Sequence, residues 1–174
     1  AGVGQPPLRG TGDASRSRLT LWPANVQDPI DTPIYTLVSD DQWNVSQGAL
    51  SPDGKWLAFA YGGEFREEKG IAVVRATRAM SKASWQPVAA GFEDIGNPLW
   101  AHDGGALYFT SSRRSGRLQV WRVVIASGTG VQTGSPVAVH VPEDELHFIL
   151  NRAYYPRMAV GHDKVVLPMN SQKI

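Results

Sequence analysis

The clearest pattern in the chain is a pair of short apolar runs separated by a polar turn. The first copy is Ala49–Phe59, in which Ser51-Pro52-Asp53-Gly54 interrupts the apolar residues. The second copy is Leu99–Phe109, fifty residues later, with Asp103-Gly104-Gly105 at its turn. A shortened third copy spans Ala159–Leu167. Because two apolar runs that flank an Asp-Gly turn are typical of antiparallel strands, each copy predicts a β-hairpin.

The residues between the copies complete two repeat units of four short strands each. The first unit spans 45–90, with strands predicted at 46–51, 56–61, 70–75 and 86–90. The second unit spans 97–140, with strands predicted at 97–101, 106–111, 117–124 and 136–140. A repeat of about 50 residues made of short strands predicts stacked four-stranded sheets, the blades of a β-propeller.

Each end of the chain carries half of such a unit. The segment 19–41 matches the back half of a unit, and the segment 156–170 matches the front half. Residues 1–18, rich in Gly, Pro, Ser and Arg, are predicted to be a flexible tail or linker. Two whole and two half blades make about three blades, whereas a propeller closes with about four to eight. We therefore predict an all-β partial propeller, which is either the remainder of a larger propeller or forms a six-bladed ring as a homodimer.

Composition supports the all-β interpretation and narrows the class of partner. The 18 Gly and 12 Pro punctuate short runs of Val, Ile, Leu, Trp and Tyr. Seventeen basic and 16 acidic side chains leave a net charge of +1, so a nucleic-acid partner is not expected. No apolar run reaches the roughly 18 residues that span a bilayer, so membrane insertion is not expected either. The chain has no Cys and therefore no disulfide or thiolate chemistry.

The first turn carries a motif that resembles a known repeat. Leu50–Phe59, with its Ser-Pro-Asp-Gly-Lys core, is similar to the WD40-like (PD40) repeats of bacterial TolB-type propellers. The second copy keeps Trp100 and the Asp-Gly pair but has Ala101-His102 in place of Ser-Pro, and the third copy has lost the turn glycine. The resemblance implies a bacterial β-propeller. Such repeats occur in periplasmic scaffolds, in gating propellers of prolyl-oligopeptidase-like peptidases, and in sensor regions of kinases and transcriptional regulators.

The sequence contains no motif that predicts catalysis or metal binding. A Gly-x-Ser-x-Gly nucleophile elbow is absent, and the four histidines have no short ligand spacing such as His-x-His. His102 and His162 precede the turn aspartates and are predicted to be exposed turn residues. Gly128-Thr129-Gly130 is predicted to be a flexible turn, because Gly-x-Gly alone is a weak indication of a phosphate loop. We therefore predict no catalytic residue, no metal and no cofactor.

Two dissimilar loops at equivalent places in the units are predicted to contact a partner, because loops on a repeated scaffold carry its specificity. The loop after the second unit's second strand is basic, and its guanidinium groups, on Arg113, Arg114 and Arg117, could bind carboxylate or phosphate. The corresponding loop of the first unit, 64–69, is longer and mixed in charge, and it contributes Phe65 and Arg66.

Tryptophans divide into repeated and unrepeated positions. The tryptophans predicted to pack between blades occupy repeated positions: Trp22, Trp56, Trp100 and Trp121. Trp43 and Trp85 lie outside the repeated motif and are predicted to be exposed aromatic contacts.

These features favour a non-catalytic binding or scaffold module whose rim loops bind a protein or peptide. Two alternatives stay open: an accessory propeller that gates a peptidase-like enzyme, and the ligand-sensing region of a bacterial kinase or transcriptional regulator.

Overall fold

The computed structural model describes residues 17–21, 35–40, 43–63, 66–77, 82–92, 95–112, 119–139, 159–161 and 165–166. Within these residues the chain forms β-strands and one short 3₁₀ helix, Lys82–Ser84, which confirms the predicted all-β class. The strands are β1 (Ser17–Leu21), β2 (Tyr35–Asp40), β3 (Asn44–Leu50), β4 (Trp56–Gly63), β5 (Arg66–Arg75), β6 (Gln86–Val88), β7 (Gly96–Trp100), β8 (Ala106–Ser111), β9 (Gln119–Ile125), β10 (Gln132–Ala138), β11 (Ala159–Val160) and β12 (Val165–Val166).

The strands form two antiparallel four-stranded sheets of the kind found in β-propeller blades. The first sheet has the order β3-β4-β5-β6 and the second the order β7-β8-β9-β10. Strand β1 pairs with β2, and the third apolar copy forms the hairpin β11-β12. The last strand of the second sheet differs from the sequence prediction, since it covers 132–138 rather than 136–140. This strand begins earlier because Gln132 and Thr133 already pair with β9, ahead of a register shift where Gly134 adopts a left-handed φ of 79°.

Strand β4 is apolar at consecutive positions because both faces of its sheet are buried. Trp56 and Ala58 belong to a core shared with the second sheet. Leu57, Phe59 and Tyr61 belong to a core shared with residues of β2. A strand buried on both faces loses the alternation of apolar and polar residues. The first sheet is therefore sandwiched between neighbours, as a blade is within a propeller.

The repeated tryptophans join the two sheets, as predicted. Trp56, Trp100 and Trp121 are all buried in the core between them, whereas Trp22 lies outside the described residues. Trp56 Nε1 donates a hydrogen bond of 2.9 Å to Ser127 O of the second sheet's last hairpin. Trp100 Nε1 donates one of 3.0 Å to Ala49 O of the first sheet. These two reciprocal bonds fix the relative position of the sheets and satisfy indole donors that burial would otherwise leave unpaired.

The two repeated turns have the same backbone. Ser51 N donates to Trp56 O, and Ala101 N donates to Ala106 O, each at 2.8 Å. The glycines of the two turns, Gly54 and Gly104, have left-handed φ values of 69° and 71°. Only glycine adopts this conformation at little cost, so the Asp-Gly pair of the sequence specifies the turn. His102 is exposed in the second turn, as predicted.

The first strands of the two sheets carry a matching irregularity. The register shifts between Ser46 and Ala49 in β3 and between Gly96 and Leu99 in β7. Gln47 and Asn97, fifty positions apart, both have positive φ, 54° and 52°. Asn97 N donates a 2.7 Å hydrogen bond to Gln47 Oε1. The paired bulges therefore link the two sheets along their first strands.

Candidate functional site

Most residues of the two predicted contact loops lie outside the described part of the chain. Arg113, Arg114, Arg117 and Phe65 are among them. Arg66 is described as the first residue of β5, where its backbone pairs with Gly63. The predicted loop over 64–69 was therefore wrong in extent. Strand β5 takes in these charged residues through two pairs, Lys69 with Gly62 and Arg66 with Gly63, with a register shift between them.

The prediction that Trp43 and Trp85 are exposed was also wrong. Each retains only 7% of its accessible surface. Trp43 packs edge-on against Tyr61, with ring centroids 5.6 Å apart. Trp85 packs against Phe59 at 4.9 Å and against Tyr61 at 5.4 Å. These tryptophans are buried because they extend the core between the first sheet and β2 rather than projecting from a loop.

A lysine lies among these rings and defines the candidate site. Lys82 Nζ is 3.3 Å from the centroid of the Trp43 ring, 4.7 Å from that of Tyr61 and 5.2 Å from that of Trp85. The Glu68 Oε1 oxygen lies 3.7 Å from the same nitrogen. We call Lys82, the three rings and Glu68 the Lys82 cluster. Distances within about 6 Å of a ring centroid are those of cation–π contacts.

The elements of the first sheet bring the Lys82 cluster together at one end of β4. Trp43 directly precedes β3, and Tyr61 lies near the end of β4. Lys82 begins the 3₁₀ helix, and Trp85 follows that helix, with a 3.0 Å hydrogen bond from Trp85 N to Lys82 O. Gly70 on β5 faces Tyr61, and a Cβ there would approach the phenol oxygen to 2.7 Å. The absence of a side chain at Gly70 thus makes room for the Tyr61 ring.

The polar atoms of the Lys82 cluster are incompletely satisfied. Among the described residues, the buried Lys82 Nζ and Trp85 Nε1 atoms have no hydrogen-bond partner. The Glu68 carboxylate is too far from Lys82 Nζ for a hydrogen bond, although it forms an ion pair. Native proteins leave few buried donors unpaired. The Lys82 cluster nevertheless contains two buried donors without a hydrogen-bond partner among the described residues.

The surroundings of Tyr61 in the Lys82 cluster raise the pKa of its phenol. Burial raises the pKa of Tyr61 above its ordinary value of 10.0, and the negative charge of Glu68 raises it further. Both causes disfavour the phenolate, which would place charge in a poorly solvated site beside a carboxylate.

We predict that the Tyr61 phenol ionises above the ordinary tyrosine pKa of 10.0. The unfolded chain then loses this proton first, so the contribution of Tyr61 to stability is complete below about pH 10 and is lost as the pH rises toward the folded-state pKa. The check is absorbance of tyrosinate across alkaline pH, with the Tyr61→Phe curve subtracted from that of the wild type. A difference curve with its midpoint at or below the ordinary tyrosine pKa would contradict the described environment.

Within the part of the second unit that the structure describes, the Lys82 cluster has no counterpart. By the spacing of the repeated strands, Tyr61 corresponds to Ser111, and Trp85 corresponds to Gly134. Sequence reasoning found two of the rings as unrepeated tryptophans and placed Glu68 in the predicted contact loop 64–69, but it missed Tyr61 and Lys82. The available indication was the Tyr61/Ser111 difference between otherwise parallel strands.

No group of three or more His, Asp or Glu residues is placed to hold a metal ion in the part of the chain that the structure describes. Over the same ranges, no helix is long and apolar enough to cross a membrane.

Comparisons with known proteins inform the fold. No protein-family model matches the chain, and no curated protein matches its sequence. Among solved structures, a Mycobacterium tuberculosis puromycin-hydrolyzing peptidase is similar, with a TM-score of 0.53 and 16% sequence identity. The similarity covers 73% of this chain and 24% of the peptidase chain, so the chain spans about a quarter of that protein's length. At this identity the likeness concerns the fold, and it supports sheets of the β-propeller kind.

Proposed function

We propose that the chain is a non-catalytic binding module of the β-propeller kind, which binds a protein or peptide through side chains added to its repeated framework. The observation that carries this proposal is the Lys82 cluster. Among the described residues, it assembles three aromatic rings and two unpaired donors at one end of the first sheet and has no equivalent at the second sheet.

The contrast between the units separates framework from function. Residues that build the sheets recur, as do the turn glycines Gly54 and Gly104 and the buried pair Phe59 and Phe109. A fold requires these residues in every unit, whereas a partner that approaches from one direction requires its contacts in one unit only. Clustered Trp and Tyr side chains are enriched at the energetic centres of protein interfaces.

We also propose that the basic loop with Arg113, Arg114 and Arg117 and the segment with Phe65 and Arg66 contribute rim contacts. Arginine pairs bidentately with carboxylates, so an acidic stretch in the partner would suit the basic loop. Arg66 pairs with Gly63 at the end of β4, the same end as Tyr61. A bound peptide could therefore reach from this segment to the Lys82 cluster.

A peptide library with two readouts tests the proposal. The immobilised chain is incubated with the library, and mass spectrometry measures both the peptides retained and any new cleavage products. We expect intact peptides to be retained by the wild type and by Lys55→Ala, which alters an exposed lysine in the first turn. We expect folded Trp43→Ala to retain fewer of them. Retention of no peptide, or cleavage products that form with purified wild type, would contradict a non-catalytic binding module.

A second candidate is an accessory propeller that controls access to a peptidase. The structural likeness to part of a peptidase favours it. In that case a polypeptide that joins this chain to a peptidase domain cleaves short peptides in preference to long ones, and removal of this chain abolishes the preference. An unchanged length preference after removal would argue against a gating role.

We further propose that the half blades pair between two chains. An open sheet edge exposes unpaired backbone groups, and pairing 19–41 with 156–170 of a second copy would cover such edges. Light scattering across a dilution series should then give twice the 18.9 kDa mass of one chain. Deletion of 156–174 should give a monomer. A dimer that survives this deletion would contradict the exchange of half blades.

A further inference from the structure

The Lys82 cluster has the chemistry of a cation site whose present occupant belongs to the chain itself. Three ring faces surround Lys82 Nζ at 3.3 to 5.2 Å from their centroids. The face of an aromatic ring carries the negative part of its quadrupole and attracts a cation, and Trp does so most strongly. Two of the three rings are Trp, and both are buried, which shields the contact from water.

Lysine is an imperfect match for this site because an ammonium group carries three N–H donors. Lys82 Nζ is buried, yet within the described ranges it donates no hydrogen bond. The Glu68 Oε1 oxygen, 3.7 Å from Lys82 Nζ, compensates the ammonium charge but is too far away to accept a hydrogen bond from it. A buried donor without an acceptor costs free energy, whereas a quaternary ammonium has no N–H and incurs no such cost. The rings and the remote carboxylate therefore suit a methylated ammonium better than they suit Lys82.

We propose that the Lys82 cluster binds the trimethylammonium group of a methylated lysine in a peptide, and that Lys82 is its internal competitor. This inference rests on the proposed function, because it names the group of the peptide that the module recognises. In the closed state the Lys82 ammonium fills the cage. In the bound state Lys82 swings out to solvent, and the ligand cation takes its place between Trp43, Tyr61 and Trp85.

The position of Lys82 allows this exchange. Its side chain is 36% exposed, and that of Glu68 is 61% exposed, so the cage opens to solvent along the lysine stem. Lys82 is the first residue of a 3₁₀ helix only three residues long, so it is held by few helical hydrogen bonds. Competition from Lys82 weakens ligand binding, because the apparent Kd equals the Kd of the open cage divided by the fraction of molecules in which the cage is open.

Titration with tetramethylammonium chloride, followed by NMR at the indole N–H groups of Trp43 and Trp85, tests the inference. We expect Lys82→Ala to bind tetramethylammonium at least about tenfold more tightly than the wild type, because the competing cation is gone. Ammonium chloride at equal ionic strength should give no saturable shift. Lys82→Met, which fills the cage with an uncharged chain of similar length, should bind neither ion, and Lys55→Ala should match the wild type.

The result that would overturn the inference is an equal response of the wild type and Lys82→Ala to tetramethylammonium, or an equal response to both ions. If Lys82→Ala does not fold, the comparison is between the wild type and Lys82→Met. Saturable binding of tetramethylammonium by Lys82→Met alone, or equally by the two proteins, would overturn the inference.

A pair of peptides that differ only in lysine trimethylation connects this site to the proposed function. Preference of the wild type for the methylated peptide, together with its loss in Trp43→Ala, would support both the cation site and the peptide-binding function. Equal retention of the two peptides would refute the cage as the recognition site and leave the binding module intact. Retention of neither, with tetramethylammonium still bound, would refute the peptide as ligand and leave the cation site intact.

Discussion

The substitution Gly130→Ala is expected to lower the free energy of unfolding by about 3 kcal/mol, from a left-handed backbone and from overpacking. Gly130 has a φ of 70°, and a Cβ there would lie 2.5 Å from the Trp56 ring carbon Cζ3. The ring cannot move aside easily. Trp56 Nε1 donates a hydrogen bond to Ser127 O, and the Arg75 guanidinium lies over one face of the ring, 4.8 Å from the ring centroid.

Substitutions at two further glycines of the same hairpin distinguish the backbone contribution from the overpacking contribution. Gly134 has a φ of 79° but open space around its would-be Cβ, so Gly134→Ala should cost only about 1 kcal/mol for the backbone. Gly128 has neither constraint, so Gly128→Ala should change stability by less than about 0.5 kcal/mol. Urea unfolding measures all three. Equal effects of Gly130→Ala and Gly134→Ala would contradict the packing of Trp56 against this hairpin.

The substitution Phe109→Ala is expected to cost about 3 to 5 kcal/mol by leaving a cavity between the sheets. Phe109 is fully buried and packs edge-on against Phe92, with centroids 5.3 Å apart. Phe92 in turn packs against Trp121 at 4.8 Å. The ring of Phe109 therefore supports an aromatic stack that joins the last loop of the first sheet to the second sheet.

Val137→Ala is the matched control for this core substitution. Val137 lies in the same sheet but is 56% exposed, so its truncation should change stability by less than about 0.5 kcal/mol. Thermal unfolding followed by circular dichroism compares the two variants. A loss below about 1 kcal/mol for Phe109→Ala would mean that the two sheets do not pack face to face.

The hairpins were predictable because their determinants are local. An Asp followed by Gly fixes the turn through one left-handed residue, and flanking apolar runs supply the strands. The repeat then gave the number of strands in each sheet, since four short strands recur within about 50 residues. The buried repeated tryptophans followed from the same comparison, because a position that recurs in every unit serves the packing common to all units.

The Lys82 cluster was not predictable because its determinants are distant in sequence. Trp43 and Lys82 meet only after three strands have paired, and nothing near either residue indicates the other. Unrepeated tryptophans were expected at the surface, whereas these two are buried and form the walls of a site. Gly130 was predicted to be part of a flexible turn, but the Trp56 ring from the other sheet packs directly against it.

The most direct test of the account is the NMR chemical shift of the Lys82 side chain, because the proposed binding role depends on the cation lying over the rings. A methylene group above an aromatic face is shifted upfield by the ring current. We predict that the Lys82 ε-methylene protons resonate well upfield of those of exposed Lys55 and move toward the Lys55 position in Trp43→Ala. Lys82 and Lys55 signals that coincide in the wild type would contradict the aromatic cage.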